Sequence, residues 1–212
     1  MQRKKVTWQY KTKRWFPIIY MFVITAAFSA VIIGFAKMTE QRVKTNDALA
    51  FELAVLKVLP GMYDPNQTAA ELHRRFTEQV KKPTDQTAGA YSLEKDGQIA
   101  VYALPFTGQG FWAPIDGVIG INADKKTVTG ISIYQQRETP GLGAEVAQHE
   151  FTVQFDGLEI SNTIKPISFK RPGEPLSKSE VHAVTGATQT SIRLEKVIND
   201  ALNQWREKID KQ

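Results

Sequence analysis

The feature that most restricts this chain is the run WFPIIYMFVITAAFSAVIIGFA, Trp15 to Ala36, which holds no charged residue before Lys37. At 1.5 Å per residue a helix of this length spans roughly 33 Å, enough to cross a hydrocarbon core of about 30 Å. The run has no polar stripe to turn to water, so it predicts a transmembrane helix. Trp15, Phe16 and Tyr20 crowd its first turns as an interfacial belt does, and Pro17 falls where a missing amide costs little. Gly34-Phe35-Ala36 is a small-x-small pattern, so a cleaved signal peptide is the competing reading. The apolar stretch exceeds the roughly 7 to 15 residues of a signal h-region, which favours a retained anchor.

Charge sets the orientation of that anchor. The net charge is +5, but Arg3, Lys4, Lys5, Lys11, Lys13 and Arg14 lie within residues 1–14 with no acid among them. The rest of the chain is therefore close to neutral, which argues against nucleic acid as a partner. A basic flank predicts a cytoplasmic N-terminus and places everything after Lys37 on the far side of the membrane. The chain has no cysteine, which excludes disulfides, thiolate-ligated clusters and thiol nucleophiles.

Four segments are expected: a basic tail at 1–14, the membrane helix at 15–36, a helical stalk at 37–61 and an extracytoplasmic domain at 62–212. The stalk rests on Val43, Leu49, Leu53, Leu56 and Val58 at helical spacing, ended by Pro60-Gly61. It reads as a spacer and not as part of a core. A short helix is expected over 69–80. Short β-rich runs follow at 91–93, 98–105, 117–121 and 127–134, with Asp96-Gly97 a two-residue hairpin signal and residues 123–126 a second turn. At the C-terminal end, Leu194, Val197, Ile198, Ala201, Leu202, Trp205 and Ile209 form one stripe of a helix over 192–209. The fold class is α+β: an antiparallel sheet with that helix packed on it.

Three loops stand apart from ordinary connectors. Thr107-Gly108-Gln109-Gly110-Phe111-Trp112 combines two glycines with two aromatics, as a ligand loop or a simple hairpin with a core Trp would. Glu138-Thr139-Pro140-Gly141-Leu142-Gly143 is a rigid turn whose leucine is free either to sit under a planar ligand or to be buried alone. Val184-Thr185-Gly186-Ala187-Thr188-Gln189-Thr190-Ser191 puts four hydroxyls ahead of a helix, where free amides favour an anion. Capping by Thr190 or Ser191 accounts for one hydroxyl and leaves the others unexplained. His73, His149 and His182 are scattered and predict no metal site.

ETPGLG at 138–143, followed by TGAT at 185–188 before a C-terminal helix and behind an N-terminal anchor, resembles the FMN-binding domain family. That family is shared by the G component of the Rnf complex and the C component of the sodium-translocating NADH:quinone reductase. The resemblance covers the anchor and most of residues 91–209. It implies an FMN joined by a phosphodiester to Thr188, added by a flavin transferase that uses FAD and a divalent metal. Gly186 and Ala187 would keep the approach open, Thr185 and Thr190 would neighbour the phosphate, and Ser191 would cap the helix. Glu138, Thr139, Leu142 and Gly143 would line the flavin, with Trp112 or Phe111 shaping the site.

By the same resemblance the chain is an electron-transfer subunit, non-catalytic alone, whose partners are membrane subunits that move Na⁺ or H⁺. GQGFWAPIDG resembles the C component of the reductase, whereas the short length and single final helix resemble the G component of the Rnf complex, which is the expected assignment with the reductase component as the alternative. One position departs from the family pattern: an aspartate usually stands three residues before the first hydroxyl of the motif, and here it is His182. Two other readings remain, a membrane-tethered scaffold in which VTGATQTS is only a turn, and a flavin shuttle outside any pump.

Overall fold

The computed structural model describes residues 15–211, so the basic tail expected at 1–14 lies outside the described residues. The chain divides into two compact units, Met1–Asn46 and Asp47–Gln212. The first is built on helix α1 (Phe16–Val58), whose apolar side chains from Phe16 to Met38 are exposed apart from half-buried Ile24. By length and composition this helix can cross a membrane.

The second unit is an antiparallel sheet in the order β1-β2-β3-β4-β5, each strand pairing with the next in sequence. The strands are β1 (Val80–Lys81), β2 (Tyr91–Lys95), β3 (Gln98–Gln109), β4 (Pro114–Asn122) and β5 (Val128–Gln135). Helix α2 (Ala69–Gln79) precedes them, opened by a capping box in which Thr68 and Glu71 satisfy each other's end of the helix. The β2–β3 hairpin turns on Asp96 and Gly97, both at positive φ (53° and 76°), as an Asp-Gly type I′ turn requires. The β4–β5 turn is tied by Asp124, whose Oδ1 accepts from the amides of Lys126 and Thr127. Burial pushes the Asp124 carboxyl up, but the hydrogen bonds from Thr127 and the two amides outweigh it and hold the pKa below its ordinary value.

Alternate residues of β3 serve two cores. Tyr102, Leu104 and Phe106 face helix α4 (Thr188–Ile209), where Leu194, Ile198, Leu202 and Trp205 are fully buried. Trp205 is held by its Nε1–H donating to the Thr87 carbonyl at 3.0 Å and by an edge contact with Tyr102. Val101 and Ala103 face the other way, against Val55, Leu56, Val58 and Leu59. The stalk expected at 37–61 is thus corrected at its C-terminal end: from Asp47 the helix belongs to the domain, and its last turns are core. Those turns are apolar on more than one side, which suits a sheet face better than water.

Between β5 and α4 lie helix α3 (His149–Thr152) and two short parallel strands, β6 (Ser168–Lys170) and β7 (Glu180–His182). Buried Asn199 of α4 accepts from the Ile167 amide and donates to the Ile167 carbonyl, which docks this region on the helix. The final helix begins four residues earlier than its apolar stripe predicts. Thr188 is its first residue and not part of the preceding loop.

Candidate functional site

The start of α4 is where the three unusual loops meet. The focus is Glu138, which is 6% exposed and folded inward from the loop after β5. Its Oε1 accepts from the amides of Phe111 (2.8 Å) and Trp112 (3.1 Å). Its Oε2 accepts from the Thr190 hydroxyl at 2.7 Å. A buried carboxylate needs such donors, and charge-assisted bonds of this kind are the stronger ones. One side chain therefore fastens the Gly110–Trp112 loop, the ETPGLG loop and the first turn of α4.

Two glycines make this clamp possible. A Cβ on Gly110 would lie 2.5 Å from Glu138 Oε1, and one on Gly143 would lie 2.5 Å from Thr190 Oγ1 and 2.9 Å from Glu138. Any side chain at either place would push the carboxylate off its donors.

Beside the clamp is a cavity of about 350 Å³, lined in part by Phe111, Trp112, Thr139, Leu142, Thr188 and Gln189. This is within the roughly 300 to 1,000 Å³ of small-molecule sites. Its rim is apolar and open: Trp112 is 66% exposed, Leu142 43% and Phe111 42%. Its inner wall is the α4 N-terminus, where Ala187 is the cap residue and supplies no side-chain acceptor. The first-turn amides are therefore left for a ligand or water, at the positive end of the helix. Thr188 stands there, exposed, with its hydroxyl at the first helical position. Apolar planes around an anion-binding end suit an amphipathic molecule with a flat ring and a phosphate. The residues present fit FMN in that sense.

Of the residues singled out from sequence, Trp112, Glu138, Thr139, Leu142, Gly143, Gly186, Ala187, Thr188 and Thr190 all lie around this cavity. Thr185 does not; it is exposed in the loop before it. Two roles are corrected. Ser191 does not cap the helix: it is buried inside the first turn and its Oγ accepts from the Val184 amide at 3.2 Å, tying the incoming loop back on the helix. Thr190 has its hydroxyl proton committed to Glu138, so it braces the site and is not available to donate to a phosphate. Gln189 also lines the cavity, and nothing in its type marks it in the sequence. Phe111 enters beside Trp112 through its backbone as well as its ring.

His182 lies in β7, with its amide donating to Gln154 Oε1 and its ring 2.9 Å from the Glu174 carbonyl, away from the cavity. His73 is not isolated, since its Nδ1 is 2.7 Å from Glu52 Oε2. His149 lines a separate hollow with Asp156, whose carboxyl is raised by burial against the pull of that histidine. Among the described residues no group of three or more such side chains could hold a metal.

Comparison with known proteins bears on this arrangement directly. Residues 110–203, from the loop that carries Trp112 to the last third of α4, match the FMN-binding domain family. The match covers just under half of the chain. The C component of the Na(+)-translocating NADH-quinone reductase of Pasteurella multocida is 32% identical over 122 residues, covering 56% of this chain and 45% of that protein. The same component from Vibrio vulnificus strain YJ016 is 34% identical over 108 residues, or 50% of this chain and 42% of the relative. The chain thus spans under half the length of these curated relatives. A crystal structure of the corresponding Parabacteroides distasonis protein superposes with a TM-score of 0.66 at 23% identity, over 83% of this chain and 98% of that one. The two proteins share a fold.

Proposed function

We propose that this chain is a redox subunit carrying FMN esterified to Thr188. The observation that carries the reading is the position of that hydroxyl: exposed, first in α4, and opening on a cavity walled by Leu142 and Trp112. The Thr188 oxygen accepts the FMN phosphoryl group from FAD on a flavin transferase, with AMP leaving. An unactivated threonine is a poor nucleophile, so this domain presents the acceptor while the transferase supplies the catalysis. The first-turn amides of α4 and the helix dipole favour the charge that remains on the phosphodiester. Leu142 and Trp112 offer apolar surface to the ring, and Glu138 keeps the two loops at a fixed separation.

Bound FMN supplies one- and two-electron carrying capacity. What the protein adds is position: an ester link holds the flavin at one place on a domain tethered through α1. We infer that the domain lies outside the cytoplasm, with the basic residues 1–14 inside, and that it exchanges electrons with membrane subunits of an ion-translocating complex. The complex is of the NADH:quinone reductase or Rnf type, and the Pasteurella and Vibrio relatives weigh toward the former.

The test is direct. Full-length protein coexpressed with a flavin transferase, denatured and run on a gel, should fluoresce at its band under ultraviolet light, and Thr188→Ala should be dark. A dark wild-type band under these conditions refutes the ester and leaves a tethered scaffold. Copurification of neighbouring subunits identifies the type of complex, and a flavinylated chain that copurifies with none is a free shuttle.

A further inference from the structure

The central strand β3 is longer than its neighbour on one side. Pairing with β2 ends at Tyr91 opposite Ala103, whereas pairing with β4 continues to Gln109 opposite Pro114. Residues 104–109 therefore have a strand on the β4 side alone. Successive residues of a strand direct their N–H and C=O to opposite sides. The Gly110 amide donates to the Ala113 carbonyl on the β4 side at 2.9 Å, so Leu104, Phe106 and Gly108 face β4 as well. By parity Pro105, Thr107 and Gln109 face the open side. Pro105 has no N–H to lose there, which is the place a sheet tolerates proline.

An open edge is a template for another strand unless it is covered. Here it borders a groove of about 600 Å³ whose far wall is α4, from Arg193 through Val197 and Ala201 to Lys208. The charge of that groove is one-sided. Lys196 and Asp200 pair with each other. Arg193 and Lys208 have no carboxylate partner among the described residues, and Asp200 is the groove's one acid. Arg193 is half-buried with its guanidinium 5.8 Å from the centre of the Phe111 ring, and its Nε is buried without a hydrogen-bond partner. A guanidinium and an ammonium without anionic partners beside an unpaired strand edge favour an acidic ligand.

We propose that the open edge of β3 is a strand-addition site for an extended acidic segment of a partner protein. The partner's backbone pairs with Thr107 and Gln109, and its carboxylates meet Arg193 and Lys208. Two other occupants are disfavoured by charge. The chain's own residues 1–14 carry six cations and no acid. A second copy joined edge to edge would bring two sets of these cations together. The edge runs directly into Gly110, Phe111 and Trp112, so a segment docked here ends beside the cavity at the start of α4. The docking itself does not depend on the flavin reading.

The experiment uses the full chain in detergent and a heptapeptide of alternating glutamate and valine, with a lysine–valine heptapeptide as control. Amide exchange at Thr107 and Gln109 is fast in the free protein and slows at least about tenfold with the acidic peptide, and with that peptide alone. Thr107→Pro removes an edge donor without touching the β4 ladder, so it abolishes protection at Gln109 while the melting temperature is kept. Lys208→Glu weakens the acidic peptide about tenfold. The proposal is overturned if Thr107 and Gln109 exchange as slowly as Phe106 and Gly108 in the free chain, or if the acidic peptide gives no protection. It is equally overturned if the lysine peptide protects as well, if binding survives Thr107→Pro unchanged, or if the edge is protected by a concentration-dependent dimer.

Discussion

The two faces of the sheet are covered by helices in opposite ways. On one face the end of α1 brings Val55, Leu56, Val58 and Leu59 against Val101, Ala103 and Val118, all buried. Around it Phe51, Phe76, Tyr91 and Tyr134 pack ring against ring at 5.3 to 6.5 Å, and burial raises both phenols. The centre of that face is closed, with a hollow of about 440 Å³ only at its β5 edge beside Lys57, Tyr63 and Ser132. On the other face α4 is equally well buried along its middle, yet it leaves a cavity at its first turn and a groove along its flank. The polar side chains there hold loops apart instead of closing the gap. One face supplies stability, and the other gives up some of it to keep surfaces free.

That contrast can be broken experimentally, beginning with the closed face. Leu56→Ala removes a fully buried side chain and should lower unfolding free energy by about 2 to 5 kcal/mol, read from denaturant midpoints, with flavin at the band unchanged for the folded fraction. Flavin loss in fully folded Leu56→Ala would mean that the faces are not separate. Glu138→Ala leaves two amides and a hydroxyl without their acceptor. It should cost about 1 to 3 kcal/mol and reduce flavin incorporation together, which distinguishes a clamp from a core residue. Trp112→Ala removes a ring that is 66% exposed, so stability should move by no more than about 0.5 kcal/mol. Its effect should appear as altered absorbance and fluorescence of the bound flavin.

The smallest effect lies far from the open face. Glu71 is held below the ordinary carboxyl value of 4.5, first by the Thr68 amide and then by its hydroxyl. A depressed carboxyl adds stability above its unfolded value and loses it as pH falls through the folded one. Glu71→Gln keeps the capping geometry without the charge. The melting-temperature advantage of the wild type over this variant should therefore shrink as pH drops below 4.5, while the flavin site is unaffected.

Strands β2 to β5 are legible in the sequence as β-rich runs bounded by turn signals such as Asp96-Gly97, whereas β1, β6 and β7, only two or three residues long, give no run to read. The residues around the cavity are legible too, through glycines and hydroxyls that local structure alone does not require. What escapes has a common cause: it depends on distance in sequence. Glu138 binds amides 26 and 27 residues before it and a hydroxyl 52 residues after it, and no local pattern announces that. The first turn of α4 is hidden because Thr188, Gln189, Thr190 and Ser191 carry no apolar stripe. The end of α1 looks like a spacer because its apolar residues serve a sheet face that only the folded chain presents.

The reach of Glu138 has a further consequence for how the domain matures. Its three donors lie on the loop after β3 and on α4 while Glu138 itself follows β5, so the pocket beside Thr188 exists only where all three elements are in place. A modifying enzyme that recognises this pocket thereby inspects the fold before it acts. Under the proposed modification, an unfinished chain would offer no such pocket and would stay unmarked.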